Sequence, residues 1–262
     1  MVNLFSVENT YFCVITHYLH SYLAMKQLHI ITPVKDSIAS TLETIRAVKA
    51  SKITVPYTYT IYNDFSTAEN TLRLQQASEE LGFRLVNLSD LTTHPSPNYL
   101  LVLQTAQREA LAADAGLCIV ESDVVVRPDT LQGLYDGALL RNDCGIAASV
   151  TVDDDGQINY PYLFAKGTEG QVVDTKKHCS FCCSLLTPAL LAAYSFTELN
   201  PEKNWYDVTI SHESRQRGFH NYLFSNLPAT HRPHQSRPWK QLKYKNPLKY
   251  YWLKYTKGLD KI

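Results

Sequence analysis

No glycine interrupts TPVKDSIAS (32–40), the segment that follows the first strand-like run, LHIITP (28–33). A Gly-rich, basic phosphate loop on that turn, as a nucleotidyltransferase would need, is therefore missing. Net charge is also missing: the formal value is +0, so no global field argues for a nucleic-acid partner. No apolar run reaches the roughly 18 residues that span a bilayer. The opening stretch MVNLFSVENTYFCVITHYLHSYLA has no basic n-region and contains Glu8, His17 and His20, which makes it a poor signal peptide. The six cysteines form no secreted disulfide framework, and several lie in apolar runs as buried free thiols do. HCSFCC (178–183) lacks a second Cys/His pair at metal spacing, which argues against a zinc motif. There is no internal repeat and no low-complexity segment.

The chain has 262 residues, 45% of them hydrophobic. That fits one large α/β domain or two small ones with a sizeable core. LHIITP closes on a proline, and Ile38, Leu42, Ile45 and Val48 then recur at helical spacing. YTYTIYND (57–64) is rich in β-formers and ends in polar residues. Leu74, Ala77 and Leu81 mark a second helix, with Gly82 as its stop. FRLVNL (83–88) predicts a third strand. The loop THPSPN leads to a long helix carrying Leu100, Leu103, Ala106 and Ala110, and LCIV (117–120) predicts a fourth strand. Strands alternating with helices of this length predict βαβ units and parallel pairing.

The second half is less regular. CGIAASV predicts a strand, DDDG (153–156) a turn, and INYPYLF the return arm of a hairpin. FCCSLL predicts another strand. TPALLAAY predicts a helix with Thr187 as N-cap and Pro188 at its first position. WYDVTISHESRQRG predicts a helix closed by Gly218.

Ligands of open α/β sheets bind beyond the carboxyl ends of the strands. Three polar tips fall there: Thr32-Pro33, Asn63-Asp64 and Glu121-Ser122-Asp123. Read as strand residues, Glu121 and Asp123 point to the same side. Two carboxylates so placed repel unless a cation or a donor joins them. The alternative is an exposed acidic turn, which LCIV before and VVV after argue against.

Taken together, these segments resemble the family-two glycosyltransferases of GT-A fold. LHIITPVKDS resembles their first strand and loop, usually ending Pro-Val-Tyr-Asn. YNDFSTAENT resembles their Val-Asp-Asp-Gly-Ser-Thr-Asp segment, ESD (121–123) falls at their DxD position, and WYDVTISHESRQRG resembles the helix that carries the general base. LPATHRPH resembles their late histidine segment. The likeness runs through about residues 26–235 in the family's order. It departs at Glu121 for the first Asp of DxD, at Phe65 for a usual Gly, and at Tyr206 for the acid before Asp207.

The resemblance implies an α/β chain of GT-A fold: a single Rossmann-like mixed sheet flanked by helices, with an irregular acceptor-side C-terminal half. It implies an inverting, metal-dependent transfer of a sugar from a nucleotide-sugar donor to a glycan or lipid-linked glycan. Thr32, Pro33, Asn63, Asp64, Ser66, Glu121 and Asp123 would meet the donor. Asp123 would bind Mn²⁺ or Mg²⁺, joined by His231 or His234; Pro228 plus six points to His234 without excluding His231. Asp207 would take the acceptor's proton, or would be an N-terminal acid favoured by its helix dipole. Asp64 could instead serve helix capping alongside Ser66 or Thr67.

From Arg232 to Ile262 there are nine Lys or Arg against Asp260 alone, interleaved with Trp and Tyr. Such a tail suits an anionic membrane surface, with a solvated helix or a nucleic-acid patch as alternatives. The expected organisation is an N-terminal extension, 1–24, or a true start at Met25. A catalytic domain follows at 25–235, divided into a nucleotide-sugar half (25–125) and an acceptor half (126–235), and then the basic aromatic tail, 236–262. The expected location is cytoplasmic, at the inner face of the cell membrane. The alternative function is a non-catalytic GT-A-like protein that binds nucleotide or glycan, or scaffolds.

Overall fold

The computed structural model describes residues 25–203, 205–232, 242 and 246–257. The 1–24 extension, His234 and much of the 236–262 tail lie outside the described residues.

The first half is built as its periodicity predicts. Strand β1 (Gln27–Val34), helix α1 (Ile38–Lys49), β2 (Tyr57–Asn63), α2 (Ala68–Leu81), β3 (Arg84–Asn87), α3 (Tyr99–Ala112) and β4 (Ala115–Val120) follow in turn. Alternation in β1 sends Leu28, Ile30, Thr32 and Val34 to one face and His29 and Ile31 to the other. Gly82 ends α2 at φ 67, a left-handed position that glycine takes without steric cost.

After β4 come β5 (Val124–Val125), α4 (Thr130–Leu139), β6 (Cys144–Val152), β7 (Val172–Asp174), β8 (Cys183–Leu186), α5 (Pro188–Ala193), α6 (Tyr206–Gln216), β9 (His220–His231) and α7 (Pro247–Thr256). Thr187 caps α5 by accepting from the Leu190 amide, with Pro188 at the first position.

One sheet runs in the order β3-β2-β1-β4-β8-β6-β9-β5, with β7 also on β9. β1 pairs in parallel with β2 and β4, and β2 with β3, whereas β8 runs antiparallel to both β4 and β6. Two apolar layers cover the sheet. Side chains of α3, α5 and α6, among them Leu103, Ala106, Leu190 and Ile210, fill one face. Ile45 of α1, Leu74 of α2 and Leu131 and Leu134 of α4 fill the other. Among the described residues, no helix is long and apolar enough to cross a membrane.

Three local expectations need correction. Glu121-Ser122-Asp123 is a tight turn between β4 and β5, closed by the Val124 amide on the Glu121 carbonyl (3.1 Å), not a strand. INYPYLF forms one bridge, Val152 to Ile158, and then turns back on itself as the Tyr162 amide meets the Asn159 carbonyl (2.9 Å). Pro161 inside that run has no N–H for a ladder. FCCSLL is a strand only from Cys183, because Phe181 and Cys182 lie in a turn.

Candidate active site

Because β1, β2 and β4 are parallel, their carboxyl ends share one edge, and the loops that follow them meet there. The first two loops are laced together. The Asp36 amide donates to Ser66 Oγ (2.8 Å), and Asp36 Oδ1 accepts from the Thr67 amide (2.9 Å) and Asn70 Nδ2 (3.1 Å). Lys35 Nζ donates to the Phe65 carbonyl. Asn63 ties β2 to β3 and α2 through Asn87 (2.9 Å) and Thr71 (3.0 Å), and its Oδ1 accepts from the Ser66 amide (3.2 Å). Thr67 is the N-cap of α2, so neither Ser66 nor Asp64 fills that role. Phe65 sits at φ 55, in the left-handed region where the resembled family carries glycine.

Asp64 works inward. Its Oδ2 accepts from Ser96 Oγ (2.7 Å) and the Asn98 amide (2.9 Å), and its Oδ1 from Asn98 Nδ2 (2.8 Å). The carboxylate thereby clamps the loop that starts α3 and sets the position of the next residue, Tyr99. Thr32 is wholly buried with its hydroxyl on Tyr59 (3.0 Å), so its side chain belongs to the core rather than to the open edge. Pro33 is half-buried near the carboxyl end of β1.

The third loop forms the centre of the site. The Glu121 amide donates to the Cys182 carbonyl (3.0 Å), which pins the turn to the chain entering β8. On the far side β5 pairs with the end of β9, Val124 opposite His231, and the Arg232 amide donates to the Asp123 carbonyl (3.0 Å). This ladder brings His231 Nε2 to 3.4 Å from Asp123 Oδ2, both side chains being about 7% exposed. The carbonyl of Tyr160 accepts from His231 Nδ1 at 2.9 Å. A carbonyl can only accept, so Nδ1 carries the proton and Nε2 is the atom turned to the carboxylates.

Electrostatics mark this cluster as a place for positive charge. Burial pushes the Glu121 carboxyl up to about 7, the neighbouring Asp123 and Asp207 carboxylates push it the same way, and His231 opposes them. Burial works against charging His231, yet the hydrogen bond to Asp123 and the charges of Asp123 and Glu121 raise it overall. Tyr99 is raised well above its usual range by burial first, then by Glu121 and Asp207. Tyr99 also packs on Tyr206, the first residue of α6, with ring centroids 6.2 Å apart. Asp207 follows in the first turn of α6, where its Oδ1 accepts from the Val208 amide (2.9 Å).

The donor set suits a divalent ion. Asp123 and Glu121 offer hard oxygen ligands, and His231 offers Nε2 with its ring fixed by a carbonyl behind it, the usual support of a metal-binding imidazole. The structure thus gathers Glu121, Asp123, Asp207 and His231 at one place, and Asn63, Asp64 and Ser66 beside it. Residues not foreseen there are Cys182, Tyr99, Tyr160, Ser96 and Asn98. Cys182 Sγ donates to Glu121 Oε2 at 3.4 Å.

No protein-family model matches the sequence, and no curated protein matches it. Solved structures do. Mannosyltransferase PcManGT from Pyrobaculum calidifontis, in complex with GDP-Man and Mn²⁺, superposes with a TM-score of 0.55 at 13% identity over 87% of this chain and 63% of its own. S. aureus TarS 1-349 gives 0.57 at 13% over 79% of this chain and 60% of its own. TarS 1-349 in complex with UDP-GlcNAc gives 0.56 at 15% identity, over 80% of this chain and 60% of its own. The chain has a GT-A glycosyltransferase fold. It spans about 60% of the length of these GT-A structures.

Proposed function

We propose that this protein is an inverting, metal-dependent glycosyltransferase that moves a sugar from a nucleotide-sugar donor to a glycan or lipid-linked glycan. The observation that carries the reading is the convergence of the partly buried Glu121 with the buried Asp123 and His231 at the carboxyl edge of the sheet. Complexes of the fold's neighbours with GDP-Man and Mn²⁺ and with UDP-GlcNAc support it.

Asp123 and His231 would hold the ion directly, with Glu121 beside them. A bound Mn²⁺ or Mg²⁺ supplies Lewis-acid stabilisation of the leaving diphosphate. Asn63 and Ser66 would face the donor's nucleoside, and Asp64 would fix Ser96 and Asn98 around it. Asp207 would accept the proton of the acceptor hydroxyl as that oxygen attacks the anomeric carbon. The bond from that carbon to the diphosphate oxygen breaks as the new bond forms on the opposite face, so the configuration inverts. Tyr99 and Tyr206 would wall the acceptor side and limit water.

Helix α7 supports a surface location. Leu248, Tyr251, Trp252 and Tyr255 recur at helical spacing on one side and are exposed, with Lys249, Lys254 and Lys257 alongside. We assign this face to the anionic inner surface of the cell membrane, with the body in the cytoplasm.

A thermal-shift panel of UDP-, GDP- and dTDP-sugars with Mn²⁺ tests the reading, because a ligand of the folded state raises apparent stability. One sugar nucleotide should raise Tm only when Mn²⁺ is present, and that donor should be hydrolysed slowly. A panel without any shift would refute the assignment.

A further inference from the structure

Cys182 stands beside the carboxylates and does work that the proposed transfer does not use. Its Sγ lies 3.4 Å from Glu121 Oε2, and ligand atoms of Glu121, Cys182 and His231 all fall within 4.8 Å of one another. Asp123 Oδ2 is 3.4 Å from His231 Nε2. Neighbouring ligands of a tetrahedral ion with bonds of about 2.0–2.3 Å sit roughly 3.3–3.8 Å apart. The Cys182–Glu121 and Asp123–His231 spacings already match, while the other spacings of the Glu121, Cys182 and His231 group, all within 4.8 Å, contract as side chains turn onto one ion.

The chemistry of the atoms separates two kinds of metal. Mn²⁺ and Mg²⁺ seek oxygen and leave a thiol alone. Zinc is borderline-soft and takes thiolate, imidazole and carboxylate together. Cys182 is 3% exposed, and among the described residues it is the one sulfur in the group with Glu121 and His231, which the buried Cys179 and Cys183 do not join. The HCSFCC run therefore fails as a zinc motif in sequence yet supplies one ligand in space. Its partners come from the turn after β4 and from the end of β9.

We propose that Glu121, Cys182 and His231, with Asp123 as the fourth neighbour, form a thiolate-containing site for zinc-type divalent ions that overlaps the donor's metal centre. This builds on the reading of the same carboxylates as that centre. On binding, the S–H bond of Cys182 breaks, its proton passes to solvent, and Sγ bonds to the metal. Hard ions would leave the thiol protonated as a donor to Glu121. Zinc would seize the carboxylates that Mn²⁺ needs and so inhibit transfer.

Co²⁺ is the probe, added to the full chain without donor. The wild type should show a sulfur-to-cobalt charge-transfer band in the near ultraviolet. Cys182→Ser should lose it while keeping its circular dichroism, and Cys179→Ser should retain it. Zn²⁺ affinity should fall in Cys182→Ser by more than the roughly 10–100-fold typical of disturbing a ligand's support. If Cys182→Ser does not fold, X-ray absorption on zinc-loaded wild type decides: one sulfur at about 2.3 Å upholds the site, and a shell of nitrogen and oxygen alone overturns it. A wild type without the band, or a Cys182→Ser protein that keeps it, also overturns it. Nucleotide-sugar stabilisation with Mn²⁺ in a protein lacking the cobalt band would refute this site and leave the transferase reading standing. The band without stabilisation by any sugar nucleotide would uphold the site and refute that reading.

Discussion

His231 Nε2 lies 3.4 Å from Asp123 Oδ2, and the two residues are held there by backbone pairing rather than by their own attraction. The β5–β9 ladder sets Val124 against His231, and the Arg232 amide on the Asp123 carbonyl locks the other side of the turn. The imidazole is oriented by the Tyr160 carbonyl. His231→Gln should therefore fold and keep the turn but, as the loss of a direct ligand, weaken Mn²⁺ by more than the roughly 10–100-fold typical of disturbing a ligand's support. Calorimetric titration of Mn²⁺ checks this, and an unchanged affinity would leave the imidazole without a metal role.

Asp207 sits in the first turn of α6 and acts electrostatically on Glu121 and Tyr99. Asp207→Asn should leave donor affinity nearly intact and lower turnover by roughly two to four orders of magnitude, the usual contribution of a general base. Steady-state kinetics with a matched donor and acceptor measure it. Wild-type turnover would remove Asp207 from the mechanism.

Phe65 combines φ 55 with a ring packed on the core layer beneath α3. Removing the ring costs packing in either small variant, but only glycine relieves the backbone. Phe65→Gly should thus be more stable than Phe65→Ala by about 1 kcal/mol, the reverse of the order in ordinary strand or helix positions. Denaturant unfolding of the pair reads the difference. Equal midpoints would mean that the loop relaxes out of the left-handed region.

Much of the frame was legible because periodicity reports burial. Leu28, Ile30 and Val34 alternate, and Ile38, Ile45 and Val48 recur at helical spacing, and these residues are core. The same alternation puts Thr32 on the Leu28–Val34 face, a signal strong enough to have placed it in the core. The turn at 121–123 was hidden, since apolar residues flank it and its closure depends on β8 and β9, which pair from far along the chain. Cys182 was hidden for the same reason: its carboxylate partner lies on another strand's end. Asp64 was legible as a polar tip but not as a clamp, because Ser96 and Asn98 belong to a loop without periodicity.

The exposed face of α7 carries the membrane proposal. Trp252→Ser combined with Tyr255→Ser should leave stability within about 0.5 kcal/mol, as surface changes do. It should reduce co-sedimentation with anionic vesicles. Salt should weaken wild-type binding, each Lys near such a surface contributing on the order of 1 kcal/mol. Equal partitioning of variant and wild type at low salt would contradict this role.

In the proposed mechanism the donor is held through a divalent ion on Asp123 and His231, with Glu121 beside them. Calorimetric titration of the stabilising nucleotide-sugar into wild type, Asp123→Ala and Glu121→Asp, each with Mn²⁺ and with chelator, tests this most directly. Binding is expected to wild type only with Mn²⁺, to be lost in Asp123→Ala, and to be largely retained in Glu121→Asp. Undiminished binding to Asp123→Ala, or to wild type in chelator, would contradict it.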